Sequence, residues 1–136
     1  MKLNYDCLRD IMLLLENELI ISEKDDYFDY NYLDLETIFP LMDLKKYSKS
    51  EIVYTLVVLN DTEFMEATIL PCEDAIGDIL ISRLTYKGHE FIEHIKADNI
   101  WNKTKGILGK AGSISISLIS DIAGQVIANL IGQGLG

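Results

Sequence analysis

Residues 79–105 read ILISRLTYKGHEFIEHIKADNIWNKTK, and a change of period inside this stretch decides the fold. Ile79, Leu80 and Ile81 form an apolar run that ends at Leu84-Thr85. Beyond it the spacing turns helical, with Leu84, Gly88, Phe91, Ile92 and Ile95 three or four residues apart or adjacent on one stripe. Thr85 suits an N-cap, because its hydroxyl can accept from an amide that the first helical turn leaves unpaired. The stretch predicts a strand over 76–84 running directly into a helix over 86–97. A second apolar run at 65–70, joined to the first through Pro71-Cys72-Glu73-Asp74, completes a β-hairpin.

Upstream, residues 4–19 carry Leu8, Ile11, Met12, Leu15 and Leu19 on one stripe, with Asn4 and Asp6 suited to a helix start. Residues 22–34 are acidic and aromatic, and alternate from Phe28 to Tyr32, which predicts a short edge strand or an ordered loop. Residues 35–44 are apolar, and Pro40 ends any helix before it. Ser48 followed by Glu51 is a capping box that opens a helix over 49–60, with Ile52, Leu56 and Leu59 facing the core. Downstream, residues 99–108 form another helix or helical turn anchored by Trp101. Gly106, Gly109 and Gly112 then loosen the chain before a final helix over about 114–130.

The pattern LTxxGxEFIxxI followed by DNIWNKTK, with YSKSEIVYTLVVLND at 47–61, resembles the winged-helix "domain of unknown function" proteins of phages and prophages, relatives of the YjcQ group. In that fold the wing hands the chain to the last core helix, as residues 76–97 are read to do. The resemblance covers residues 1–108 and is most specific over 84–105. It implies an α+β winged helix with helix 49–60 in the recognition-helix position, and a phage or prophage setting. Two features depart from the family pattern. Residues 23–34 are long for a link between the first helix and the recognition helix, and Glu63-Phe64-Met65 stands where relatives carry a Gly before the wing. The expected organisation is a winged-helix domain over 1–108 and an amphipathic helix over 113–136.

The formal charge of −10 is unevenly spread: residues 1–78 hold 18 Asp/Glu against 6 Lys/Arg, while residues 79–136 hold 4 against 6. An acidic front half repels polyphosphate and favours basic or neutral partners. Cys7 and Cys72 lack the short spacing of a zinc site or disulfide scaffold, so a reduced cytoplasmic setting is expected. Asp6, Arg9, Asp10 and Glu16 interrupt any signal-peptide core at the N-terminus, and no segment reads as a membrane span.

Catalytic chemistry finds little support. His89-Glu90-Phe91-Ile92-Glu93-His94 invites a metalloprotease reading and fails on spacing: its histidines are five apart, about 140° around a helix, so they do not share a metal. Each pairs more naturally with a carboxylate at helical spacing, His89 with Glu93 and His94 with Glu90. No nucleophile elbow or P-loop is present, and no cofactor or enzymatic activity is expected. The helix over 49–60 offers Lys49, Ser50, Tyr54 and Thr55, with Lys45 and Lys46 just upstream, as candidate contacts to DNA or to a partner. It lacks the Arg, Asn or Gln side chains that read bases bidentately. Asp25, Asp26, Asp29, Glu73, Asp74 and Asp78 are candidates for an acidic partner face.

The tail separates into two i+4 lines: a polar one from Ser113 through Asp121 to Gln133, and a small-residue one from Ser120 through Gly124, Ala128 and Gly132 to Gly136. The rest of that surface is apolar and must be covered. Gly124, Ala128 and Gly132 form a candidate self-association seam, since small residues four apart let backbones approach. Asp121, and the absence of a basic residue after Lys110, weaken a membrane role. The reading is therefore a non-enzymatic accessory or regulatory protein that binds a protein partner through an acidic surface. The alternatives are a winged-helix DNA-binding regulator and, third, a protein associated with membrane through its last helix. A homodimer is compatible with the first reading.

Overall fold

The computed structural model describes residues 1–111 and 115–135. Its elements run α1 (Tyr5–Glu18), β1 (Ile21–Glu23), β2 (Phe28–Tyr30), α2 (Leu35–Leu41), α3 (Lys49–Asn60), β3 (Met65–Cys72), β4 (Ala75–Leu84), α4 (Tyr86–Ile95), α5 (Asp98–Ala111) and α6 (Ile116–Leu135). The fold class is mixed α+β: six helices and two antiparallel hairpins, β1–β2 and β3–β4, among the described residues. The topology departs from the expected winged helix. The order differs from the usual arrangement in the complete hairpin inserted between α1 and α2. The backbone contacts divide the chain into two units, Met1–His89 and Glu90–Gly136.

In the first unit α1 and α3 pack on each other and on the strands. Asn4 caps α1, its side chain accepting from the Cys7 N–H at 3.1 Å, and Cys7, Leu8, Ile11, Met12 and Leu15 are fully buried. Ser48 caps α3 by accepting from the Glu51 N–H at 3.1 Å. The reciprocal half of the capping box is diverted: the Glu51 carboxylate accepts from Asn4 Nδ2 at 3.0 Å, tying the starts of α1 and α3 together. Tyr47 is buried and donates to Asp10 at 2.6 Å, a second tie between α1 and the approach to α3.

Pro40 lies inside α2 rather than stopping the chain ahead of it. Its missing N–H removes one hydrogen bond, and the helix ends one residue later, where the Met42 N–H reaches Ile38 and Phe39. At the other end Asp34 accepts from the Thr37 N–H at 2.9 Å and its hydroxyl at 2.7 Å; the hydroxyl bond first, then the amide, holds the Asp34 carboxyl below its ordinary range. Just before α2, Leu33 exchanges both backbone hydrogen bonds with Ile81 (3.0 and 2.9 Å), so α2 is tied to β4.

The β3–β4 hairpin is longer than the sequence suggests. Pro71 and Cys72 belong to β3, leaving Glu73-Asp74 as a two-residue turn. Glu73 has φ 56°, the left-handed conformation that favours glycine at the first position of such a turn. Pro71 is tolerated because the register shifts beside it, Pro71 pairing with Ile76 and leaving Gly77 over. Ile79, Ile81 and Leu84 alternate inward, whereas the tip is exposed.

The passage into α4 explains the 84–95 motif. Thr85 donates its backbone N–H to the Phe64 carbonyl at 3.0 Å and its hydroxyl to the Glu63 carbonyl, and the same hydroxyl accepts from the Gly88 N–H at 3.1 Å. Lys87 pairs with the Glu63 carboxylate, a hydrogen bond that lowers that carboxyl's pKa. Gly88 is buried, and a Cβ built there would overlap the Phe64 carbonyl oxygen and stand 3.0 Å from its carbon. Only glycine allows the backbones this close.

In the second unit α5 packs against α6. Ile100, Trp101 and Leu108 on α5, and Ile119, Ala123 and Val126 on α6, are buried; Thr104, also buried, donates to the Ile100 carbonyl at 2.7 Å. The last helix begins at Ile116 and continues to Leu135, beyond the expected end at 130. Ser113, Ile114 and Gly136, part of the expected helix and stripes, lie outside the described residues.

Gly88→Ala is expected to lower stability by about 1–3 kcal/mol, the range for over-packing a site that cannot yield. Gly106→Ala, on α5 with nothing within 4 Å of the new Cβ, is expected to raise it by about 0.5–1 kcal/mol. Urea midpoints of the two variants against the parent check both signs.

Candidate functional site

The β1–β2 hairpin departs from the usual relation between sequence and burial. Ile21 pairs with Tyr30, Ser22 with Asp29 and Glu23 with Phe28, and the loop closes with the Lys24 N–H donating to the Tyr27 carbonyl at 2.8 Å. Ile20, Ile21, Tyr27, Phe28, Tyr30 and Tyr32 are between 41% and 72% exposed. Tyr30 and Tyr32 meet edge to face with ring centres 6.1 Å apart. So many large apolar side chains on one short exposed hairpin form the kind of patch that marks an interaction surface. Asp25, Asp26 and Asp29 are exposed among them.

A cleft of about 370 Å³ opens at the root of this hairpin. Leu15 of α1 and its C-cap Leu19, Ile21 and Tyr30 of the hairpin, and Leu84 of β4 supply its apolar lining; Glu16, Arg83 and His89 supply polar groups. Arg83 is already engaged, its guanidinium donating to Glu66 at 2.7 Å. That hydrogen bond, with the opposite charges, lowers the Glu66 carboxyl and raises the guanidinium pKa. Sequence reading did not select the cleft residues. The available signal was an aromatic-rich stretch too short and too acidic to bury its own side chains.

The expected contact set on α3 is divided. Lys45, Lys46, Lys49 and Ser50 are exposed and Tyr54 is half-buried. Lys46 lies 3.9 Å from Asp10 and 5.3 Å from the Tyr47 ring centre, and Lys49 lies 5.2 Å from the Phe39 ring centre. Thr55 corrects the expectation: it is fully buried and donates to the Glu51 carbonyl at 2.7 Å. It falls three residues after Ile52 and four before Leu59, on the inward stripe. With Val53, Val57 and Val58 half-buried, α3 is apolar nearly all round and offers no polar reading face beyond its first turn.

The acidic set is divided as well. Glu73 and Asp74 are exposed at the β3–β4 tip, and Asp25, Asp26 and Asp29 belong to the other hairpin. The tip lies some eight residues along β4 from the cleft, roughly 25 Å of strand. Asp78 corrects the expectation of a free acid: it is half-buried and accepts from the Leu35 N–H at 3.1 Å and the Ile79 N–H at 2.8 Å. Its charge is spent on the start of α2.

On α6 the small-residue line is split. The ring of His94 lies 3.7 Å from where a Gly124 Cβ would be, and His94 Nδ1 is 2.9 Å from Ser120 Oγ. Ala128 and Gly132 are exposed, with open space around Gly132. Among the described residues, no group of three or more His, Cys, Asp or Glu is placed to hold a metal ion. No described helix is long and apolar enough to cross a membrane.

Fold and cleft together define a small mixed α+β protein that presents an aromatic hairpin over an apolar recess. The family model described as "Hypothetical protein (DUF2513)" matches residues 2–114, and the chain belongs to that family. A Haemophilus influenzae protein described as an uncharacterized protein is 26% identical over 133 residues, covering 96% of this chain and 99% of the relative. No solved structure matches.

Burial, more than the Thr55 hydrogen bond that opposes it, raises the Cys7 thiol pKa; burial and then the bond to Asp10 raise that of the Tyr47 phenol. Both groups stay neutral in the fold and ionise more readily once unfolded. Their stabilisation is therefore complete below the unfolded values, about 8.5 and 10, and is lost as pH rises past them. Urea midpoints should fall on the alkaline side, and Tyr47→Phe should flatten the fall above about pH 10. An unchanged alkaline slope in that variant would contradict the assignment.

Proposed function

We propose that this chain is a non-enzymatic accessory or regulatory protein that binds a protein partner through the acidic, aromatic β1–β2 hairpin. The observation that carries the reading is the exposure of Ile20, Ile21, Tyr27, Phe28, Tyr30 and Tyr32 on one hairpin. Keeping such side chains in water forgoes their burial, and tyrosine with its apolar body and polar tip is the type enriched at protein interfaces. The frame is read as a winged-helix variant, with α2–α3 as its helix pair and β3–β4 as its wing. A phage or prophage setting, with kinship to the YjcQ-like proteins, rests on the resemblance of residues 84–105. The site is assigned no catalytic role and no cofactor.

DNA binding is the second reading, favoured by Lys45, Lys49 and Ser50 exposed at the start of α3 after a helix-turn-helix-like pair. Against it stand the acidic wing tip, the apolar remainder of α3, and few cations to release counterions.

Capture of the partner by the tagged chain is expected to be lost in Tyr27→Ser/Phe28→Ser and kept in Glu73→Lys. Both variants change exposed residues, so stability should move by no more than about 0.5 kcal/mol. Duplex DNA should bind no tighter than about 10⁻⁴–10⁻⁶ M near physiological salt. A tighter, sequence-selective complex weakened by Lys49→Glu would transfer the assignment to DNA.

A further inference from the structure

We infer that the cleft at the root of the β1–β2 hairpin takes an apolar side chain from a basic, amphipathic segment of another protein. Lysines or arginines flanking that anchor would meet Glu16 in the cleft wall and Glu23 on the hairpin face beside it. The inference rests on the proposed protein-binding role of the hairpin and adds the chemistry of the partner.

Charge selects the occupant. Glu16 lines the recess and Glu23 shares the hairpin face of Ile21, while Glu18, Asp25, Asp26 and Asp29 add acids along residues 16–29, where Lys24 is the one cation. None of these six carboxylates is in an ion pair among the described residues. Glu16 and Glu18 moreover occupy the last turn of α1, which holds no basic residue. A helix C-terminus already carries partial negative charge, so acids there are unfavourable unless a cation arrives from outside. The Asn17 side-chain amide, donating to Glu18 at 3.0 Å, compensates only in part.

Shape selects the anchor. The recess is small, near the lower end of the about 300–1,000 Å³ typical of ligand pockets, and its walls are Leu15, Leu19, Ile21, Tyr30 and Leu84. Strand alternation places Phe28 on the same face as Tyr30, and Glu23 on the same face as Ile21. A bound segment would therefore run from the recess over an exposed ring and past a carboxylate. Arg83, the one Lys or Arg lining the recess, is neutralised by Glu66 and does not oppose a cationic ligand.

The test titrates the full-length, isotope-labelled chain with three synthetic peptides, read by amide shifts and calorimetry. The first alternates lysine with leucine around a central phenylalanine; the second replaces lysine by glutamate; the third replaces the apolar residues by serine. The first should shift the amides of Leu19, Ile21, Tyr30 and Leu84 and bind at least about ten-fold tighter than either other peptide, with affinity falling as salt rises. Glu16→Lys should weaken it about five-fold or more, and Glu73→Lys at the distant wing tip should not. Equal binding of the glutamate peptide at the same amides would overturn the partner's charge while leaving the hairpin as a protein-binding surface. Equal binding of the serine peptide would overturn the anchor. Shifts confined to α3 or to the β3–β4 tip, or no binding by any peptide, would overturn the inference. So would sedimentation showing a parent dimer that Ile21→Ser dissociates, since a second copy would then fill the cleft. The proposed function itself stands or falls separately, on whether Tyr27→Ser/Phe28→Ser abolishes capture.

Discussion

The close approach of Gly88 to the Phe64 carbonyl is the constraint on which the first unit depends. The turn after α3, the base of β3–β4 and the first turn of α4 all meet there, where there is no room for a side chain. Thr85 reinforces the contact from three directions, with its amide on Phe64, its hydroxyl proton on Glu63 and its hydroxyl lone pair on the Gly88 amide. One hydroxyl acts as donor and acceptor at once, so α4 is capped and its start is fixed against the preceding turn by the same atom. With α4 held, β4 is positioned at its end, and the Leu33–Ile81 bridge passes that position on to α2.

Around this frame the polar groups divide into those that serve the fold and those left for solvent or a partner. Asp10, Asp34, Asp78 and Glu51 each accept hydrogen bonds that tie helix starts or neighbouring helices together. Asp25, Asp26 and Asp29 hold exposed apolar side chains in an acidic setting. The inserted hairpin thus has a different character from the rest of the unit: its side chains contribute little burial, and its strands are three residues each. A two-stranded hairpin of that length is marginal by itself, so its persistence rests on the cleft walls of α1 and β4.

Much of the architecture was legible in the sequence because it is governed by local rules. The bounds of α3 follow from Ser48 and an apolar period, and the 84–95 motif announces a strand, a cap and a helix within a dozen residues. The structure departs from these local rules at Glu51, where a distant group intervenes, and at Thr55 and Pro40, where position within the helix outweighs residue type. Glu51 has the spacing of the second half of a capping box, but Asn4, 47 residues away, claims its carboxylate. The polarity of Thr55 suits an outer face, but its position on the helix, between Ile52 and Leu59, buries it. Pro40 has the character of a barrier, yet a helix already in its last turn loses only one hydrogen bond to it.

By itself the sequence determined the class of fold, the order of most elements and the acidic character of the first half, since period, caps and charge are properties of neighbouring residues. The need for Gly88 was visible as a motif but not as a reason, because the Phe64 carbonyl that excludes a Cβ lies 24 residues upstream. Only tertiary structure decided that Asp78 serves the start of α2, and that Ile21, Tyr30, Leu19 and Leu84 share the walls of one cleft. A cleft is made by elements that chain folding brings together, and no local pattern records which side chains will remain uncovered once the core has closed.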